Sequence, residues 1–380
     1  MTVRRAATDR VSILFVLPSL QGGGAERMVV TILRNLDQDR FAPVLAVLDA
    51  RDPVYAADLP PGLQVIDLGT RRMRSSVAAI IRLVWRLRPD IVFTTIAHLN
   101  LGTALARSVF PRGVQLVARE AGVVSEVLRS DHAGLLWRIG YRFLYRFCDR
   151  IVCQSEYMRN DLLQTVGLPA TKAVVIYNPV DVVRIREMMT EPIPAAHRAL
   201  FDDGEDTIRL VGVGRVTHEK GFDLLIRAVA LCRDPRLCVI ILGTGVLRAS
   251  MEKLASDLGV ADQVNFIGFQ KNPYSYIRRA DALVLSSRHE GLPNVVLEAM
   301  ACGTPVIATP APGGIFELLD GCSACVIARD LTAESLAAAI GSYPFQAKRE
   351  QSSAALERFS IERIVGQYES LFHSLTRGAA

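Results

Sequence analysis

Two cations and two carboxylates in the second half of this 380-residue chain have types and spacings suited to one kind of chemistry. Arg215 and Lys220 follow the apolar run RLVGVG, in the segment Arg215-Val216-Thr217-His218-Glu219-Lys220-Gly221, and a helical pattern starts at Phe222. Cations at the carboxyl end of a parallel strand sit where such sheets bind ligands, and each neutralises a phosphate oxygen. A leaving nucleoside diphosphate needs that neutralisation as its bond to a sugar breaks. His218, between them, reads as an exposed loop residue. Further on, Glu290 and Glu298 frame the phrase EGLPNVVLE, followed by AMACGTPVIA. The run ALVLSS ends at Ser287, Pro293 suits the first position of a helix and Gly303 suits its stop. That places Glu290 in a loop at a strand's end and Glu298 two turns into the helix. Carboxylates in such a mouth accept paired sugar hydroxyls, and the free N–H groups of Leu292 to Asn294, at the helix start, suit phosphate.

The first half carries weaker signals. Gln21-Gly22-Gly23-Gly24-Ala25-Glu26-Arg27 is a glycine loop opening a helix after the first strand, where backbone amides approach a diphosphate. It is not G-x-G-x-x-G with an acidic residue about 20 positions on, which disfavours a dinucleotide oxidoreductase. His98 lies in TTIAHLN just beyond a strand, and Arg119 and Glu120 end the next one. One Asp-x-Asp, Asp37-Gln38-Asp39, falls at the far end of the first helix, away from the strands' carboxyl ends. It reads as helix-end solvation, so no metal is implied.

Short β-branched runs alternate with helical patterns throughout, the signature of βαβ units and parallel sheets. Strands are expected at 11–17, 43–48, 90–94, 114–118, 150–154 and in AVVIYN, with helices near 25–36, 75–88, 99–109, 130–148 and 156–165. A second series of strands is expected near 208–213, 237–242, 263–267, 281–286 and 305–308. Between the two series, residues 178–206 carry Pro179, Pro192 and Pro194 and read as a crossing without a strand. The expected organisation is therefore an α/β chain of two Rossmann-like doubly wound domains facing a cleft. It comprises residues 1–177, the crossing 178–206, a ligand domain 207–360, and an amphipathic helix in 361–380 that packs back.

Half the residues are hydrophobic and 22% are charged, the balance of a chain with sizeable cores. Seven cysteines, several inside apolar runs, make a disulfide framework unexpected, and Cys322 and Cys325 read as packing residues. No stretch reaches the roughly 18 apolar residues of a spanning helix, so membrane contact would be peripheral. Charge is uneven: residues 1–177 hold 23 Lys and Arg against 15 Asp and Glu, and residues 178–380 hold 21 against 24. The first half, at +8, is expected to meet something anionic. In LLWRIGYRFLYRFCDR, Arg138, Arg142, Arg146 and Arg150 recur every four residues among aromatics, the pattern of a helix lying on an anionic interface. TRRMRSSVAAIIRLVWRLRP has the same character.

Taken together, the GGGAER loop, the Arg-x4-Lys pair and the Glu-x7-Glu block resemble the family-4 glycosyltransferases of GT-B fold, from about Val11 to about Phe372. Within that family the phrases look closest to transferases that extend polyprenyl-diphosphate-linked glycans. The resemblance implies a retaining enzyme that moves a hexose or N-acetylhexosamine from a nucleotide diphosphate donor, with UDP favoured. No metal or other cofactor is implied, and the setting would be the cytoplasmic face of the inner membrane. It assigns Arg215 and Lys220 to the donor diphosphate, Glu298 to the ribose hydroxyls and Glu290 to the transferred sugar. Gly23 and Gly24 would supply amides and His98 would stand beside the donor hexose. Phe269, in the turn Gly268-Phe269-Gln270-Lys271, would lie near the base, with Gly291, Leu292 and Asn294 at the phosphates. Glu120 is an acceptor-side candidate, and Arg138, Arg142 and Arg146 are candidate contacts to anionic lipid. The alternative is a sugar-nucleotide 2-epimerase of similar architecture, which would need further acid/base carboxylates.

Overall fold

The computed structural model describes residues 10–21, 23–70, 73–129, 134–202, 206–345 and 354–377. It contains two parallel sheets, each inside its own compact unit. The first unit comprises Met1–Pro179 together with Ile361–Ala380, and the second Val180–Ser360.

The first sheet orders its strands β3-β2-β1-β4-β5-β6-β7. These are β1 (Val11–Leu17), β2 (Phe41–Val47), β3 (Gln64–Asp67), β4 (Ile91–Thr95), β5 (Gln115–Arg119), β6 (Arg150–Cys153) and β7 (Ala173–Val175). The central strands are apolar on both faces because both faces are covered. Leu14, Val16, Val92, Leu116 and Ala118 pack under the helices Met73–Leu87, Ala97–Ala106, Leu135–Leu144 and Glu156–Val166. Ile13, Phe15, Leu17, Phe93 and Val117 pack on the opposite face, against Gly24–Asn35 and the C-terminal helix Ile361–Arg377. From that last helix Ile364, Tyr368 and Phe372 are fully buried, and Phe372 meets Phe15, Phe41 and Phe93 edge-on.

The second sheet orders its strands β10-β9-β8-β11-β12-β13. They span β8 (Ile208–Val213), β9 (Leu237–Leu242), β10 (Val264–Gly268), β11 (Ala282–Leu285), β12 (Val306–Ala308) and β13 (Cys325–Ile327). The segment expected to be a plain crossing contains the helix Val182–Met188, capped by the Asp181 side chain, and from Val180 onward belongs to the second unit. At the chain's return Val180 bridges Ser360, and its N–H donates to the Phe359 carbonyl.

Sequence reasoning does not anticipate β3 or β13. Both are short edge strands, partly exposed: β3 (QVID) lacks the apolar run that marks a covered strand, and β13 lies in the short apolar run 324–328, which periodicity alone does not assign to strand or helix. The reading of Cys322 and Cys325 as packing residues is also corrected. Their sulfurs are bonded, because the turn entering β13 brings the two Cα atoms to 5.5 Å.

Candidate functional site

A parallel sheet opens a crevice where its strand order reverses, outside the carboxyl ends of the two strands concerned. In the second unit that point lies between β8 and β11, and the loops after these strands carry Arg215 to Gly221 and Ser286 to Glu290. The fold therefore brings together residues 70 positions apart. Lys220 Nζ donates to Glu290 Oε1 at 2.6 Å, and Ser287 Oγ donates to the same oxygen at 2.6 Å. Lys220 keeps 25% of its side-chain exposure and Glu290 11%, so the pair is shielded yet reachable.

Several bonds fix the two loops to one another. Ser286 Oγ donates to the Lys220 carbonyl at 2.9 Å, and the Arg288 N–H donates to the Glu219 carbonyl at 2.7 Å. Arg288 also grips Asp223 with both terminal nitrogens, at 2.8 and 2.6 Å. Burial works to raise the Asp223 carboxyl, but the hydrogen bonds and charge of Arg288 outweigh it and hold it below its ordinary value. Glu219 is likewise lowered, chiefly by the Thr217 hydroxyl that donates to it at 2.6 Å.

Two glycines make this closeness possible. Gly221 has φ +61°, and a Cβ there would stand 2.1 Å from the Ser286 carbonyl oxygen. Gly313 has φ +134°, and a Cβ would stand 1.7 Å from the Glu290 carbonyl oxygen. Only glycine allows both the backbone angle and the approach. The segment after β12 supports the Glu290 loop directly: the Glu290 N–H donates to the Pro312 carbonyl, and the Gly314 N–H to the Gly291 carbonyl. Ser287, the Arg288–Asp223 pair and Gly313 are site residues that sequence reasoning misses. Ser287 is the last residue of a run read as strand, and the pair, 65 residues apart, leaves no local pattern.

The remaining expected donor residues fall around the same edge. Arg215 is exposed. Glu298 is only 5% exposed, on the helix Asn294–Cys302. Gly291 and Leu292 are buried beside Glu290, and Asn294 begins that helix half-exposed. Phe269 follows β10 at 57% exposure. His218 is exposed.

In the first unit the strand order reverses between β1 and β4, and the loops there carry the glycine segment and His98. Gly23 is the N-cap of its helix and Gly24 the first helical residue, with the Glu26 carboxyl folded back so that a Cβ on Gly23 would strike it. Gly22 lies outside the described residues. His98 stands in the first turn of the helix after β4, and burial lowers its pKa, favouring the neutral ring. Ile96, two residues earlier, has φ +74°, an outlier for a β-branched residue and a strain held at the end of β4.

Glu120 is placed differently from expectation. It is 1% exposed, so its carboxyl is inside the unit, not presented to an acceptor. Tyr145 donates its hydroxyl to Oε1, Tyr141 to Oε2 at 3.5 Å, and Asn100 Nδ2 lies 3.3 Å from Oε1. Burial raises this carboxyl to about 7. Its neighbour Arg119, also 1% exposed, donates to Asn178 and Thr95, while its Nε has no partner; burial lowers its pKa.

The same contacts revise the arginine helix. Tyr141 and Tyr145 face inward, Trp137 is half-buried against the core, and Arg150 lies half-buried on β6. The outward face presents Arg138, Arg142 and Arg146 beside Leu135 (72% exposed), Ile139, Phe143 and Phe147. In the second basic stretch Arg82, Arg86 and Trp85 are exposed, while Arg71 and Arg72 lie outside the described residues. Among the described residues no helix is long and apolar enough to cross a membrane. Among them, too, no three His, Cys, Asp or Glu side chains are grouped to hold a metal ion. Asp37 and Asp39 form a local turn, the Asp39 N–H donating to Asp37 Oδ1.

Comparison with known proteins decides the family. Residues 22–184 match the model described as Glycosyltransferase Family 4, and residues 197–344 the model described as Glycosyl transferases group 1. The chain belongs to the family-4 glycosyltransferases. It is 28% identical over 316 residues to a Campylobacter jejuni N-acetylgalactosamine-N,N'-diacetylbacillosaminyl-diphospho-undecaprenol 4-alpha-N-acetylgalactosaminyltransferase, covering 79% of this chain and 81% of that one. It is 40% identical over 132 residues to the Rhizobium meliloti lipopolysaccharide core biosynthesis glycosyltransferase LpsE, over 35% of this chain. The aligned part spans 38% of that relative's length and 60% of the glycosyltransferase MJ1059 of Methanocaldococcus jannaschii. The solved structure of Anabaena HepE in complex with UDP-glucose matches with a TM-score of 0.79 at 20% identity, covering 96% of this chain and 100% of that one. That likeness establishes the GT-B fold of this glycosyltransferase.

Proposed function

We propose that the chain is a retaining transferase that moves a hexose or N-acetylhexosamine from a UDP-sugar to a polyprenyl-diphosphate-linked or other glycan acceptor, in surface polysaccharide or lipopolysaccharide synthesis. The observation that carries the reading is the Lys220–Glu290–Ser287 cluster at the reversal point of the second sheet. With the donor in place, its diphosphate takes over Lys220, joined by Arg215, and this frees the Glu290 carboxylate for sugar hydroxyls. Glu298 receives the ribose. As the bond from the anomeric carbon to the diphosphate oxygen breaks and a bond to the acceptor oxygen forms, the two cations hold the negative charge that develops on the leaving group. His98, as a neutral ring, hydrogen-bonds the donor hexose.

The HepE complex with UDP-glucose supports a uridine donor, and the undecaprenol-linked substrate in the Campylobacter relative's name supports the acceptor class. Both family models describe glycosyl transfer, which favours this reading over an epimerase. The outward face of the helix Leu135–Leu144 and of the turn Tyr145–Phe147 after it, with Arg138, Arg142 and Arg146 beside exposed apolar side chains, suits an anionic membrane that holds such an acceptor.

A panel of sugar nucleotides incubated with lipid-linked acceptor tests the proposal. Release of UDP, an unchanged rate in EDTA, and a product of the donor's anomeric configuration by NMR are expected. Absence of turnover with every uridine donor, or an inverted product, overturns the corresponding part.

A further inference from the structure

Outside the donor site, the first unit has a second place where cations converge. A surface depression of about 330 Å³ is lined by Ser125, Leu128, Arg129, Arg138, Arg142 and Thr165. Three elements build it: the short helix Val124–Arg129, the helix Leu135–Leu144 and the helix Glu156–Val166. Arg138 and Arg142 are one turn apart and point along one stripe, and Arg138 Nη2 reaches back to the Leu128 carbonyl at 3.4 Å. Arg129 closes the third side and is bonded to Glu126 at its rim. The hydroxyls of Ser125 and Thr165 add donors, and Leu128 adds an apolar wall.

Three guanidinium groups around one hollow are a poor arrangement unless an anion occupies it, because like charges repel and each fork seeks planar oxygen pairs. Among the described residues, Glu126 is bonded to Arg129, and Asp161 accepts the Ser125 N–H at 3.0 Å. Among the described residues three guanidinium groups face these two carboxylates, and Arg129, 73% exposed, exchanges its Glu126 partner cheaply for a stronger anion. One residue round the same helix from the arginines runs the exposed apolar stripe Leu135, Ile139 and Phe143. An amphiphile whose phosphate entered the hollow would lay its hydrocarbon beside that stripe.

We propose that this depression is a binding site for a phosphate ester, the headgroup of an anionic lipid, separate from the donor diphosphate site. The proposal rests on the membrane reading given above but goes beyond it. General electrostatic adhesion needs only exposed cations, whereas a site singles out Arg129, Arg138 and Arg142 and leaves Arg146 outside.

That distinction gives the experiment. Sedimentation with phosphatidylcholine vesicles, plain or doped with phosphatidylglycerol, is compared for the full chain and for Arg129→Gln, Arg142→Gln and Arg146→Gln. Calorimetry with inorganic phosphate runs alongside. The expected result is a loss of roughly fivefold or more for each hollow variant on doped vesicles. Arg146→Gln should lose clearly less, and phosphate should bind the wild type more tightly than Arg142→Gln. Equal losses in all three variants, with no phosphate binding, overturn the site and leave the membrane reading intact. Phosphate binding that depends on Arg142 without any vesicle binding overturns the membrane reading and the lipid as source. A second variant, Arg142→Lys, keeps the charge but not the fork, and should restore vesicle binding only in part. Full restoration overturns recognition by the guanidinium.

Discussion

The two units hold their charged groups in opposite ways. In the second unit Lys220 and Glu290 pair with each other at partial exposure, so each is neutralised by a partner that a ligand can replace. In the first unit Arg119 and Glu120 are both 1% exposed, tied to Asn178, Thr95, Tyr141, Tyr145 and Asn100, and an entering ligand has nothing there to displace. Nearly identical sheets thus place charge at their strand ends for different ends. Exposure separates exchangeable pairs from structural ones, while residue type does not.

The sharpest way to break that contrast is to remove a cation of the exchangeable pair. Lys220→Ala and Arg215→Ala should each lower kcat/KM by about 2 to 4 kcal/mol of transition-state stabilisation, one to three decades, with unfolding curves close to wild type. Near-wild-type turnover in both variants would move the diphosphate elsewhere.

The buried carboxyl should answer to pH instead. Glu120 is raised to about 7 in the fold from an ordinary 4.5, so the folded state holds a proton that the unfolded chain has released. Its contribution is intact below about pH 4.5 and is lost as pH rises through about 7. The full swing is roughly 3 kcal/mol. Denaturant titrations of wild type and Glu120→Gln across that window should differ in slope, the variant being flatter. Parallel pH profiles would show that burial does not hold the carboxyl neutral.

A smaller effect divides the two carboxylates of the second unit. Glu298→Gln should weaken calorimetric binding of UDP itself. Glu290→Gln should lower turnover yet leave UDP affinity unchanged or slightly tighter, because Lys220 loses the partner with which the phosphate competes. Equal loss of UDP affinity in both variants would overturn that division.

The same contrast explains what the sequence reveals. Loop residues of the second unit are legible because glycine, proline and strand runs mark where each loop starts, and Lys220 and Glu290 sit at such marks. Nothing local tells that Glu120 turns inward, since its fate depends on which face of the helix Leu135–Leu144 meets the sheet. Tyr141 on that helix and Tyr145 in the turn just after it decide that from the inner side, while the sequence shows only the regular spacing of the arginines on the outer side. The edge strands β3 and β13 escape for other reasons: β3, with water on one side, keeps only two apolar residues, and β13 is a run too short for its period to be read.

The first unit is discontinuous, and its last helix arrives only after the whole second unit has been made. Until Ile364, Tyr368 and Phe372 exist, one face of the first sheet has an open apolar groove at Phe15, Phe41 and Phe93. It follows that a growing chain emerging from the ribosome cannot complete its domains in order. The amino-terminal unit keeps that apolar face uncovered until the helix Ile361–Arg377 has been made.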